Sequence, residues 1–261
     1  MIETNAQYHA DGTHLSRSEL ARFIDSPKAY NAIHVAKTEP KPEPSIPMTN
    51  GSLLHCFVLE PDTFTDRFCV SNLSSRRGKG WVEFADHAKK MERIPVLESQ
   101  VELTEAMAEA INEDEETTKL LKLKGVAEQP IRWTHEATGL KLKCKPDWRT
   151  LNTPICLDVK SAVGPQYWGF WRACRDRGYW RQAYHYLVGC KAETGVDHTF
   201  AFSVVGNKWP HDVYLYQCDL DFPKVVEAGN EAEDALERLK ISLETNVWRA
   251  PGQNKWNPIG D

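Results

Sequence analysis

No stretch of the 261 residues approaches the roughly 18 consecutive apolar side chains that a membrane-spanning helix needs. Met1 to Thr13 is polar where a secretory signal would carry an apolar core, so a cytoplasmic protein without a membrane partner is expected. Cys-x-x-Cys is missing as well, and the seven cysteines (Cys56, Cys69, Cys144, Cys156, Cys174, Cys190 and Cys218) are odd in number. That pattern argues against a zinc ribbon, an iron–sulfur cluster and a disulfide framework, and leaves buried thiols. There is no internal repeat. Nor is there an excess of positive charge: 32 Lys and Arg against 37 Asp and Glu give a net charge of -5. Indiscriminate coating of nucleic acid is therefore excluded, while a local basic channel inside an acidic shell is permitted.

The chain has a globular composition, 41% hydrophobic and 26% charged, at a length that buries a sizeable core. The expected layout is one domain over 1–261, with N-terminal helices and a Pro-rich linker at 1–48, a core at 49–246 and a tail at 247–261. Leu15-Ser16-Arg17-Ser18-Glu19-Leu20 spells a capping box with Ser16 as N-cap, and Asp25-Ser26-Pro27 ends that helix and starts another. Four prolines between Lys37 and Pro47 make a stiff linker. An apolar helix over 50–60 stops at Pro61, a short strand follows at 67–70, and 98–123 is helical and acidic. Alternating segments 126–136 and 140–149 predict a hairpin turning at Gly139. Further on, 166–194 is helical with a break at Gly178, strands are expected at 199–205 and 213–220, and a long amphipathic helix at 222–244.

Lys145 to Ala162 organises the rest. It reads as the end of one strand, a turn at Asn152 to Pro154, and a strand Ile155 to Lys160. The period of two puts Asp158 and Lys160 on one face of that strand and Val159 on the other. An antiparallel turn brings Asp147 back near Asp158. Two acids and a lysine converging on a sheet edge suit metal-assisted phosphodiester cleavage. The acids hold a hard divalent cation, and the lysine orients or deprotonates water and offsets charge on the phosphoryl oxygens. About one Asp-x-Lys is expected by chance in a chain of this length, so a solvated strand face is the competing reading.

Other candidates carry two readings each. His55, alone in an apolar run, suits either a core histidine held by a backbone carbonyl or a metal ligand whose protonation near the free value of about 6.5 would displace the metal. Arg76, Arg77, Lys79 and Trp81 form a basic loop with an aromatic, fit to wrap a phosphate backbone and stack a base or simply to be solvated. Glu128 is a further carboxylate or an exposed edge residue. Gln182 and Tyr186 are four apart and share a helix face.

The ordered set Gly51-Ser52-Leu53-Leu54-His55, Glu128, Pro146-Asp147, Asp158-Val159-Lys160 and Gln182-x-x-x-Tyr186 resembles the RecE (exonuclease VIII) branch of the PD-(D/E)xK nuclease superfamily. The likeness extends to Tyr8-His9, Arg76-Arg77 with Lys79, and the segment from Trp180 to Tyr186. The resemblance implies an α/β fold, a mixed sheet flanked by helices with a restriction-endonuclease-like core. It makes His55, Asp147, Asp158 and the Val159 carbonyl metal contacts and Lys160 the catalytic lysine. Glu128 would support the metal, and Gln182 and Tyr186 would place the scissile strand. Mg²⁺ is the implied cofactor, and Mn²⁺ suits a site with one imidazole. The implied activity is 5′-to-3′ digestion of one strand of linear duplex DNA in a homotetrameric ring, for a RecT-like single-strand annealing partner. An endonuclease on the same core, or a non-catalytic DNA- or partner-binding module, is the alternative. Bulky Leu53 and Leu54 depart from the small residues expected before the histidine.

Overall fold

The computed structural model describes residues 5–250, and most of the tail expected at 247–261 lies outside them. A short helix α1 (Asn5–Ala10) and strand β1 (Leu15–Ser16) lead into α2 (Arg17–Asp25). The capping box forms: the Ser16 hydroxyl accepts from the Glu19 N–H, and the Glu19 carboxylate accepts from the Ser16 N–H at 2.8 Å. Ser26 caps α3 (Pro27–Tyr30), which runs into a π-helical turn Asn31–Val35. Residues 36–45 hold neither helix nor strand. Helix α4 (Ile46–Leu59) begins earlier than expected because Pro47 sits in its first turn, where a proline costs no hydrogen bond. A 3₁₀ turn Pro61–Thr63 and α5 (Phe64–Arg67) then deliver β2 (Phe68–Ser71). After α6 (Lys79–Lys90) comes β3 (Ile94–Leu97), a strand not foreseen, which pairs in parallel with β2. The acidic stretch divides at Asp114 into α7 (Glu98–Glu113) and α8 (Glu115–Lys122).

The long hairpin forms only in pieces: β4 (Gly125–Ala127), β5 (Ile131–Thr134), β6 (Lys141–Cys144) and β7 (Trp148–Thr150). Its inner half, β5 against β6, turns at Gly139 with φ +70 as expected and joins β1 in a three-stranded sheet. The outer half, β4 against β7, belongs to a different sheet. Both strands break at one level, where Pro130 and Pro146 have no N–H to offer a ladder. There the Glu128 N–H bonds the Asp147 carbonyl at 3.1 Å.

Strand β8 (Ile155–Ala162) follows, then α9 (Tyr167–Arg177) and α10 (Tyr179–Thr194), parted by Gly178 at φ +65. β9 (Thr199–Gly206), β10 (Val213–Cys218) and α11 (Pro223–Thr245) complete the described chain. The main sheet runs β10-β9-β8-β7-β4, with β8 and β9 parallel and the other neighbours antiparallel. Helices cover both faces. Cys156, Phe200 and Phe202 pack with Phe170, Ala183 and Leu187 of α9 and α10, while Val159 and Val205 pack with Leu54, Met107 and Ile111 of α4 and α7. The bulky Leu53 and Leu54 are both fully buried. Among the described residues, no helix is long and apolar enough to cross a membrane.

Gly189 shows how closely α10 sits on the β5–β6 hairpin: a Cβ there would lie 2.8 Å from both Cys144 Sγ and the Trp133 ring. Gly189→Ala gains about 1 kcal/mol of helix propensity but overpacks the contact by about 1–3 kcal/mol, so net destabilisation is expected. Gly51, in α4, has nothing within 4 Å of such a Cβ. Gly51→Ala should therefore move the urea midpoint the other way, upward.

Candidate active site and metal centre

The site grows from an interrupted ladder. β8 pairs with β9 along all eight of its residues, but with β7 only through Trp148↔Leu157 and Arg149↔Cys156. Past Leu157, the Val159 backbone meets side chains where a strand would have been. Its N–H donates to Asp147 Oδ2 at 2.7 Å, and its carbonyl lies 2.9 Å from His55 Nε2. Asp147 reaches it from the break before β7, and His55 from α4.

Three ligand atoms, one each from His55, Glu128 and Asp147, lie within 4.8 Å of one another. His55 Nε2 is 3.3 Å from Asp147 Oδ2, and His55 Nδ1 is 3.7 Å from Glu128 Oε1. Burial alone would lower the His55 pKa, but the Asp147 and Glu128 carboxylates outweigh it and raise it to about 9. Glu128 goes the other way, to about 2, because His55 and Lys145 overcome the effect of its burial. Burial and the neighbouring Asp158 push Asp147 up, against the pull of His55. The carbonyl contact expected of a core histidine is thus present, together with two carboxylates that such a histidine does not need. Glu128, expected within a strand, instead adopts φ +49 at the break. A non-glycine residue held there is strained, and such strain collects at functional sites.

Asp158 and Lys160 share a face as the strand period requires. Asp158 is buried and stands outside the three-residue cluster: Oδ1 accepts from Gln182 Nε2 at 2.5 Å, and Oδ2 faces Lys160 Nζ without a hydrogen bond of ordinary geometry. Lys160 also lies 5.3 Å from the Tyr179 ring centroid. Its burial favours the neutral amine, yet Asp158 and Asp147 outweigh this and raise its pKa. The two carboxylates thus hold the Lys160 ammonium charged in the metal-free protein. Tyr186, one turn beyond Gln182, packs on the α9–α10 core, and burial raises its hydroxyl pKa well above the usual value.

Two contributors were not singled out from sequence. Lys145 pairs with Glu128, donates to Asn5 Oδ1 at 2.9 Å and lies 5.5 Å from the Tyr8 ring, so α1 is tied to the site. Its alternation with Asp147 across Pro146 was the available signal. Tyr179 gave no signal beyond its place after the helix break.

A profile for a PDDEXK-like domain of unknown function, DUF3799, matches residues 16–253. The chain belongs to this family. No curated protein matches the DUF3799 chain. Among solved structures, a candidate exonuclease from Eubacterium rectale superposes with a TM-score of 0.66 at 16% identity, covering 100% of this chain and 97% of that one. This is a likeness of fold. A phage-related exonuclease from Haemophilus somnus 129PT reaches a TM-score of only 0.38 at 10% identity, over 89% of this chain and 96% of its own, too loose to define a shared fold.

PD-(D/E)xK nucleases use divalent metal ions, and the DUF3799 residues fit one. Carboxylate oxygens of Asp147, Glu128 and Asp158, a backbone carbonyl and one imidazole are the donors that Mg²⁺ or Mn²⁺ accepts, and the ligand atoms of His55, Glu128 and Asp147 already lie close enough together to share one ion.

The basic loop of the DUF3799 chain divides its cations. Arg76 donates to Gln100 Oε1 at 3.0 Å and to the Pro95 carbonyl at 3.1 Å, with its guanidinium 5.0 Å from the Trp81 ring. Arg77 is exposed, and Lys79 is 90% exposed beside Glu83. Arg76 therefore anchors the loop, while Arg77 stands exposed and Lys79 pairs with Glu83 in solvent. Arg77→Ala should flatten the salt dependence of duplex binding by about 0.9 logarithmic units per lost contact without changing the melting temperature. Arg76→Ala should lower the melting temperature. Titrations at several salt concentrations, in Ca²⁺ buffer to prevent cutting, separate the two.

Proposed function

We propose that this chain is a divalent-metal-dependent exonuclease that digests one strand of linear duplex DNA from its 5′ end, leaving a 3′ overhang for recombination by strand annealing. The observation that carries this reading is the meeting of His55 and Asp147 at the open backbone of Val159, with the Asp158–Lys160 pair on the same strand as Val159 and beside Asp147. His55, Asp147, Asp158 and the Val159 carbonyl would hold Mg²⁺, with Mn²⁺ as a substitute, and Glu128 would support them. When bound, such a cation stabilises negative charge on the phosphate and makes water more acidic. Gln182 fixes Asp158 Oδ1, and Asp158 with the Tyr179 ring holds the Lys160 ammonium where it can orient water and face the phosphoryl oxygens. Tyr186 borders the same face and would help to place the strand.

Polarity, a ring of four subunits and a RecT-like annealing partner are supported by the resemblance to the RecE branch. The exonuclease mode is supported also by the description of the Eubacterium rectale protein. Incubation with linear duplex labelled at either end and with covalently closed duplex, in Mg²⁺ or in EDTA, tests the reading. Early release of the 5′ label, an intact circle and no reaction in EDTA are expected. Cutting of the circle would make the protein an endonuclease, and inertness toward every DNA in Mg²⁺ and Mn²⁺ would make it a binding module.

A further inference from the structure

Most aromatic side chains of the two helices after β8 are in the core, yet two at the start of α9 are not. Trp168 is 71% exposed and Tyr167 58% exposed. Their backbone is set firmly, because a Cβ at Gly169 would clash with the Gly164 carbonyl, so the first turn of α9 packs directly on the loop leaving β8. The rings form a series. Tyr167 meets Trp168 edge-on at 5.0 Å, Trp168 lies 6.5 Å from Trp171, and Trp171 lies 5.4 Å from Trp180 on α10. Trp180 follows Tyr179, whose ring neighbours Lys160 Nζ. The aromatic line thus runs from solvent inward to α10 and ends at Trp180, the residue after Tyr179.

Cations accompany it. Arg172, Arg175 and Arg177 are all exposed on α9, and the Arg175 guanidinium lies 5.8 Å from the Trp171 ring while its Nε bonds Asp176 Oδ1 at 2.8 Å. Three arginines against one acid, in a chain of net charge -5, concentrate positive charge where Tyr167 and Trp168 are exposed. A face that docked another protein through its apolar rings would not need that local excess. A polyanion with accessible base faces matches both features, and only unpaired bases present those faces. The geometry points to α9 as a stacking track for single-stranded DNA, with bases on Trp168 and Trp171 and phosphates on Arg172 and Arg175. The inference rests on the nuclease reading, which brings an unpaired strand to this place.

Binding of an oligothymidylate of about 15 nucleotides, long enough for several stacked bases, is to be measured by anisotropy in Ca²⁺ buffer beside a duplex of equal length. Trp168→Ala is expected to weaken single-strand binding about tenfold or more and duplex binding far less, while Trp168→Phe keeps most of it. Arg172→Glu, a change at an exposed position, should weaken binding and flatten the single-strand salt slope by about 0.7 per contact. Unchanged single-strand affinity in Trp168→Ala and Arg172→Glu, or an equal loss on duplex, would overturn the track. So would dissociation of an oligomer by Trp168→Ala with DNA affinity intact, since the face would then join copies of the chain. A parallel cleavage assay on wild-type protein keeps the readings separate: tight single-strand binding without cutting removes the nuclease and leaves the track. Cutting with Trp168→Ala bound as tightly as wild type does the reverse.

Discussion

Asp158→Asn and Lys160→Met are each expected to lower cleavage of linear duplex by about 10²-fold or more, the scale set by removing one preorganised charged group from a reacting centre. Their effects on stability should differ. Asp158 is buried beside Asp147, whose pKa its charge helps to raise, so neutralising it relieves repulsion within the cluster. The melting temperature of Asp158→Asn should fall, because the buried Lys160 ammonium loses its carboxylate, but by less than that of Lys160→Met, because the relieved repulsion with Asp147 offsets part of the cost. Lys160→Met removes a cation facing a buried carboxylate, and breaking one side of a buried pair costs about 3–5 kcal/mol. Divalent metal provides the second separation, because Asp158→Asn should weaken its binding in calorimetry and Lys160→Met should not. Degradation at near wild-type rate by either variant would remove both residues from the chemistry.

The elements legible in the sequence are those whose signal is local. The Ser16–Glu19 box, the Gly178 break between α9 and α10 and the alternation along β8 each depend on a few adjacent residues, and each formed where expected. The hairpin over 126–149 was legible only at its turn. Its division between two sheets depends on β1 pairing with β6 and on β8 pairing with β7, contacts between segments distant in sequence. Pro130 and Pro146 marked the break, but without the partner strands they did not say that it would fall at one level on both arms. The site shows the same limit. Spacing put Asp158 and Lys160 on one face, whereas the grouping of Glu128 with His55 requires a left-handed residue that no strand pattern predicts. Arg76 read as a free cation because its acceptors, Gln100 and the Pro95 carbonyl, are 24 and 19 residues away.

His55 permits the second large effect, in which pH acts oppositely with and without metal. Its pKa in the folded protein is about 9 against an ordinary 6.5. Since the folded value is the higher, the stability contributed by this proton is complete below about 6.5 and is lost as pH rises through about 9. Asp147 is also raised, so its proton leaves at a higher pH than from an exposed carboxyl and its contribution has the same sign. Glu128, held near 2, stays ionised throughout and adds no slope. In EDTA the melting temperature should therefore fall between pH 6.5 and pH 9. A metal ligand must be deprotonated, so divalent affinity should rise over that interval by about tenfold per pH unit for each proton displaced. The stabilisation given by a fixed concentration of Mn²⁺ should grow where the metal-free protein weakens. Activity is then expected to fall off at a higher pH than the 6.5 of a free histidine, because the two carboxylates that build the site also hold its proton. His55→Gln should abolish most of the metal-induced shift and its pH dependence. A shift in melting temperature that is independent of pH, or unaltered by His55→Gln, would return His55 to the core, with the Val159 carbonyl as its only business.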